Sequence, residues 1–195
     1  MKIENKEYYH VHRQQNNPHS SRWNVGSTIS FGDEENLFNT LFNSFFVELQ
    51  TTPIIATSSL SVQNVSEHLK NTILRYSMYV REEIFEEVRK NKFPNRPSRK
   101  TGIWVCEENQ VNGWLHAIGN EFQNNDRVFK VLLSGEIHKA DEKWVRMDGS
   151  LHPFCKIREK AHKYWQDDHS QYENPEFLFQ GEVYIASDVT ADYQR

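Results

Sequence analysis

The sequence is short of cysteine, of long apolar runs and of glycine-rich phosphate motifs. Its two cysteines, Cys106 and Cys155, form no CxxC pair and no disulfide framework. Free thiols in a reducing compartment follow, so a cytoplasmic location is expected. No stretch approaches the ~18 consecutive apolar residues of a membrane span. The opening Met1-Lys2-Ile3-Glu4-Asn5-Lys6-Glu7 has no apolar core of a signal peptide. No membrane partner is therefore expected. The motifs GxGxxG and GxxxxGK, which cradle phosphates, are absent, as are the GxSxG elbow and HExxH. No internal repeat and no low-complexity tract is found.

Aliphatic side chains are scarce too. Hydrophobic residues are 37% of the 195. Exchanging the eight Tyr for the eight Gly leaves that fraction unchanged, below the common ~45–50%. Leu, Ile, Val and Phe still make up about a quarter, above the ~20% at which disorder becomes the default. The chain is long enough to bury ~70% of its unfolded surface. What the sequence does hold is aromatic: 12 Phe, 8 Tyr and 5 Trp. Lys and Arg total 23 against 27 Asp and Glu, a net charge of −4. That balance argues against nucleic acid as a partner, because broad backbone binding needs a positive field.

The length predicts one domain over 1–195. Glu7 to Arg13 alternates as a strand, with Tyr8, His10 and His12 on one face and Tyr9, Val11 and Arg13 on the other. Val25 to Phe31 is read as a short strand. Asp33 with Glu34 and Glu35 resembles a helix start, followed by a helix over about 36–50 with Leu37, Leu41, Phe45 and Leu49 on its stripe. A second helix is predicted from Val65 to Asn91. Its outer charges, Arg81, Glu82, Glu83, Glu86, Glu87, Arg89 and Lys90, read as a solvated face. Asn91 to Lys100 is a loop with two Pro and four basic residues, also expected to be solvated. Next come a strand Gly102–Val105, a helix Asn109–Gly119, a strand Arg127–Ile137 and a helix Ile157–Gln166. Two strand pieces then flank Gly181 between Glu176 and Ala186. Two helices between the early strands, with mostly strand after them, predict an α+β fold.

Several residues could carry chemistry. His10 and His12 project to one side of a strand. As a metal site they would need further ligands such as His19 or Glu182, because metals take three or four in fixed geometry, and no metal is assigned. The pair could equally pack in the core or bind a ligand directly. Cys106 reads as a buried strand-end thiol, since no local motif would activate it. Glu176 and Glu182 are six residues apart, so both face one side if the strand stays regular. Each is either a solvated edge charge or a carboxylate at a cleft. Trp104 and Trp114 are core aromatics or rings for a flat, cationic ligand. Tyr8, Tyr9, Trp104, Trp114, Tyr164 and Trp165 together form a candidate ring-binding cleft.

Three segments together resemble the ADP-ribosyltransferase superfamily. Tyr8-Tyr9-His10-Val11-His12 is similar to its first-strand motif. Gly102-Ile103-Trp104-Val105, followed by a helix with Trp114, resembles the Gly-Ile-Tyr-Phe strand of the poly-ADP-ribose-polymerase branch. Glu176-Phe177-Leu178-Phe179-Gln180-Gly181 resembles the late strand that supplies the catalytic Glu. Trp23, Gly26 and Ile29, with the Tyr164-Trp165 pair, resemble a small, mostly uncharacterised bacterial family attached to that superfamily. The resemblance implies a split pair of small mixed β-sheets with flanking helices, and NAD as substrate. The chemistry implied is cleavage of the nicotinamide–ribose bond, whose transition state carries positive charge on the ribose. Glu176 would stabilise that charge, with Glu182 as second choice. His10, His12, Tyr9 and Trp104 would bind NAD, with Trp104 on the nicotinamide ring. Val11, His12 and Trp104 depart from the superfamily's Gly, Thr or Ser, and Tyr. The acceptor is left open. Two other readings stand beside this one: a non-catalytic ligand- or protein-binding domain on the same scaffold, and a metal enzyme using His10 and His12.

Overall fold

The computed structural model describes residues 1–13, 23–36, 39, 62–118, 126–146, 152–166 and 172–194. The expected helix over 36–50 lies outside these residues except at its first position and at 39, as does the candidate ligand His19. Five strands and three α-helices are present among the described residues, which is the α+β class. In chain order they are β1 (Lys2–Arg13), β2 (Thr28–Phe31), α1 (Val62–Lys92), β3 (Ile103–Val105), α2 (Val111–Ile118), β4 (Asp126–Asp141), α3 (Phe154–Gln166) and β5 (Pro175–Asp188). No helix among the described residues is long and apolar enough to cross a membrane.

The strands form one sheet in the order β1-β4-β5-β2, with β3 also on β5. Every pairing is antiparallel. This differs from the split pair of mixed sheets that the resemblance implies. The reason lies in two long strands. β4 and β5 pair from Phe129↔Asp188 to Asp141↔Pro175, so one ribbon runs through the whole sheet. The outer edge of β5 is shared. Phe177–Phe179 take β3, and Gly181–Tyr184 take β2. Beyond β3, Cys106 forms an isolated bridge to Tyr9 of β1, with both backbone bonds at 2.8 Å. The bridge closes a ring through β1, β4, β5 and β3.

Gly181 does not divide β5 into two pieces, as the sequence suggests. It sits opposite Gly135 within a continuous strand. Both have positive φ, +158° at Gly135 and +135° at Gly181. A Cβ on Gly135 would lie 2.3 Å from the Gln180 carbonyl, and one on Gly181 would lie 2.5 Å from the Ser134 carbonyl. The crossing of the two strands is therefore closer than any side chain allows.

Alternation along β5 places Phe177, Phe179, Val183 and Ile185 inside the ring with Tyr8, Ile103, Val105, Phe129 and Leu133. The opposite face, from Glu176 and Leu178 to Glu182 and Tyr184, starts under the helices and ends in solvent. α1 and α3 cover its first part through Ile84, Phe85, Val88, Ile157, Ala161, Tyr164 and Trp165. The N-terminal half of α1 leaves Leu69, Ile73 and Tyr76 exposed. A third cluster packs α2 on β1 through Tyr9, Cys106, Val111, Leu115 and Val128.

Replacing Gly181 with Ala combines positive-φ strain with a backbone clash. It is expected to cost about 1–3 kcal/mol, read as a lowered midpoint in urea or as a fall in melting temperature of about 2–4 °C per kcal/mol.

Candidate functional site

Beyond the Tyr9–Cys106 bridge the facing edges of β1 and β3 make no further ladder pairs, and a cavity of about 280 Å³ occupies the gap. Tyr9, His10, Val11 and His12 line one side, and Gly102 to Cys106 line the other. Trp23, Phe31 and the turn residues Glu34, Glu35 and Asn36 complete its rim, with Trp114 from α2. The described lining residues include two carboxylates and no Lys or Arg. The cavity is thus aromatic and electronegative.

Both histidines are held neutral. His10 Nδ1 donates to the Trp104 carbonyl at 2.9 Å. A carbonyl only accepts, so the proton is on Nδ1 and the neutral ring keeps a lone pair on Nε2. Burial pushes the His10 pKa down to about 3, aided by the neighbouring His12 and opposed by the Trp104 carbonyl. Burial likewise pushes His12 down to about 4, against the pull of Asp126. The indole of Trp23 stacks on His10 at 4.4 Å and 18°, with Phe129 on it at 5.5 Å. His12 Nε2 is buried and makes no hydrogen bond. Among the described residues no group of three or more His, Cys, Asp or Glu is placed to hold a metal ion.

The four residues expected to bind NAD, Tyr9, His10, His12 and Trp104, therefore line one cavity. The two expected catalytic acids do not line it. Glu176 is buried on the helix-covered face of β5. Arg99 Nη1 donates to its carboxylate, and so does the Tyr164 hydroxyl, at 2.5 Å. Arg99 Nη1 also reaches Tyr164 Oη at 2.8 Å, and Arg99 Nε reaches Glu82 at 2.8 Å. Glu182 faces solvent on the same side of the strand. It stands opposite Ser30 of β2, and Ser30 does line the cavity. Of the expected aromatic cleft, Tyr9, Trp104 and Trp114 are present, while Tyr8, Tyr164 and Trp165 are packed in the cores. Trp23, Phe31, Glu34 and Glu35 are lining residues that their local sequence does not identify. The only signal was the Trp23, Gly26, Ile29 pattern, because the acids read as an ordinary helix start.

Two surface expectations are corrected here. Arg81, Glu82 and Glu86 are only 8%, 3% and 5% exposed, so the outer charges of α1 are in part buried, while Glu87 and Lys90 do face solvent. Arg99, expected in a solvated basic loop, is 5% exposed. The reason is mutual neutralisation. Glu82 accepts from both Arg81 and Arg99, and Glu86 accepts from Arg89 and Ser98. Burial alone would raise the pKa of Glu82, but Arg99 and Arg81 outweigh it and the net shift is downward. Burial also pushes the Tyr164 phenol well above its usual range, against the pull of Arg99. Cys106 is a buried thiol whose pKa burial raises to about 12, so it stays protonated.

Two acid transitions follow. His10 and His12 titrate near 6.5 when unfolded and lower when folded, so the unfolded state binds more protons below that point. Their contribution to stability is complete above pH 6.5 and declines as the pH falls toward about 4 for His12 and about 3 for His10. Glu82 contributes fully above its unfolded pKa of 4.5, and its share is lost as the pH falls through the lower folded value. Urea midpoints should fall with pH across this range, and His12→Asn should make the fall between pH 6.5 and about 4 shallower while the share of His10 remains. Glu176→Gln weakens the compensation of a buried guanidinium and should cost about 3 kcal/mol at neutral pH in the same assay.

No curated protein matches the sequence. Residues 8–191 match a family described as a protein of unknown function (DUF2441). The match runs from the first cavity-lining strand to the last turn of the fold, and the chain belongs to that family.

Proposed function

We propose that the cavity between β1 and β3 binds NAD, and that the chain acts on the nicotinamide–ribose bond as an ADP-ribosyltransferase or NAD glycohydrolase. One observation carries this reading. His10 and Trp104, which stand in two separate segments that each resemble NAD-contacting strands, are joined by a hydrogen bond and line the same cavity. The chemistry of the walls supports it. A flat ring bearing positive charge suits aromatic faces, two neutral imidazoles and two nearby carboxylates, with no cation among the described lining residues to oppose it.

Glu182 is the acid assigned to the reaction. Of the two expected acids it is the exposed one, outside the buried Arg99 pair, and its β2 neighbour Ser30 lines the cavity. A carboxylate near the ribose would stabilise the positive charge that develops as the bond to nicotinamide breaks. Glu176 cannot do this while its charge is compensated by Arg99 and its oxygens are held by Tyr164. That engagement favours the second reading, a non-catalytic domain that binds the same ligand, if no other carboxylate serves.

Saturating NAD should raise the melting temperature. At a hundred times Kd the gain is about 2.7 kcal/mol. Glu182→Gln should abolish nicotinamide release while keeping the native melting temperature and its NAD shift. NAD binding without nicotinamide release from the native chain would select the non-catalytic reading. Neither a shift nor consumption of NAD would end the NAD reading altogether.

A further inference from the structure

The turn 99–102 is held from both sides. Its main chain faces the cavity rim. Asn36 Nδ2 donates to the Arg99 carbonyl at 2.7 Å and to the Gly102 carbonyl at 2.9 Å. The Asn36 backbone N–H donates to the Lys100 carbonyl at 2.8 Å. Asn36 lines the cavity and ends the acidic turn that carries Glu34 and Glu35. Three carbonyls of one turn therefore position that rim.

The Arg99 side chain runs the opposite way, into the buried cluster. Its guanidinium meets Glu82, Glu176 and Tyr164, and lies 5.3 Å from the centre of the Trp104 ring. Trp104 in turn offers its carbonyl to His10 and fixes that imidazole as the Nδ1–H tautomer. The Asn36 clamp and the Trp104 carbonyl are two hydrogen-bonded supports of the cavity on its β3 side. Arg99 meets the clamp through its main-chain carbonyl, and its guanidinium lies against the ring of the residue whose carbonyl holds His10.

We propose that Arg99 and Glu176 are positioning residues for this cavity: the buried ion pair sets the turn 99–102, and the turn sets the Asn36 clamp and the tautomer of His10. The inference rests on the reading of the cavity as a ligand site, and it gives Glu176 a role in that site without contact to the ligand. Arginine is required, because a planar guanidinium can engage Glu82, Glu176 and Tyr164 together while lying against an indole, and an ammonium cannot.

The test is made first without ligand, on the full chain labelled with ¹⁵N-histidine. His10 is assigned by its absence in His10→Ala. The native imidazole should show a single Nδ1–H signature. Arg99→Lys and Glu176→Gln should each give a mixture of the two tautomers. Trp165→Phe is the control, because it removes the Trp165 Nε1 bond to the Phe85 carbonyl in the same helical layer and leaves every hydrogen-bonding group of the turn and of Arg99 in place. It should lower the melting temperature and leave His10 unchanged. If Arg99→Lys or Glu176→Gln does not fold, Asn36→Ala releases the clamp with the buried charges intact and should also mix the tautomers. A pure Nδ1–H signature in the folded variants, despite a fall in stability like that of Trp165→Phe, would overturn the proposal and leave the pair as a stabiliser. With NAD as probe, the same variants should bind about two- to thirtyfold more weakly, the range expected for residues that act without touching the ligand. An unchanged NAD affinity in variants with mixed tautomers would also count against it. The ligand-free signature is independent of whether NAD is the ligand, so the two proposals fail separately.

Discussion

A guanidinium buried beneath the helices sets the central demand of this structure. Arg99 has left water almost completely, and an uncompensated charge there would be prohibitively unstable. The fold answers with Glu82 from α1, Glu176 from β5 and the Tyr164 hydroxyl from α3. Each partner comes from a different element, so satisfying one side chain fixes the relative position of two helices, the sheet and the turn before β3. Neighbouring pairs extend the arrangement: Arg81 ties Glu82 to the Val145 carbonyl, and Arg89 ties Glu86 to the carbonyls of Pro94 and Arg96. Such a cluster adds less net stability than its contact distances suggest, because desolvation offsets much of the attraction. Its effect is geometric: it permits few alternative packings.

The cavity depends on a second constraint, the gap in the ring of strands. Closure at Tyr9 and Cys106 is a single bridge, and beyond it β1 and β3 make no further ladder pairs. The His10 side chain donates to the Trp104 carbonyl there. A small space is kept open, lined by rings and by imidazoles that burial keeps uncharged. The ribbon of β4 and β5 makes this possible, because the close crossing at Gly135 and Gly181 lets a four-stranded ring form from so few strands.

Most of the element order was legible from local pattern. The alternation of Tyr8, His10 and His12 placed them on one face, and the even spacing of Glu176 and Glu182 correctly put both on one side of β5. The charged stretch of α1 was not legible. Glu82, Glu83, Glu86 and Glu87 look alike in sequence, yet Glu82 and Glu86 are buried while Glu87 is exposed. What separates them is an arginine 17 positions along the chain and a strand arriving much later. Glu176 illustrates the same limit, since an acid that opens an apolar strand is identical in sequence whether it faces a cleft or a guanidinium.

The amino-acid sequence by itself determined the α+β class, the main strands and helices and the absence of phosphate-cradle motifs. These depend on periodicity and on local backbone preference, which act over a few residues. Only the tertiary structure decided that there is one antiparallel sheet, that Arg99 is buried, and that Glu176 lies behind the cavity while Glu34 and Glu35 stand at its rim. These are outcomes of pairing between distant segments. Burial and charge compensation exist only once those segments have met, so no local pattern encodes them.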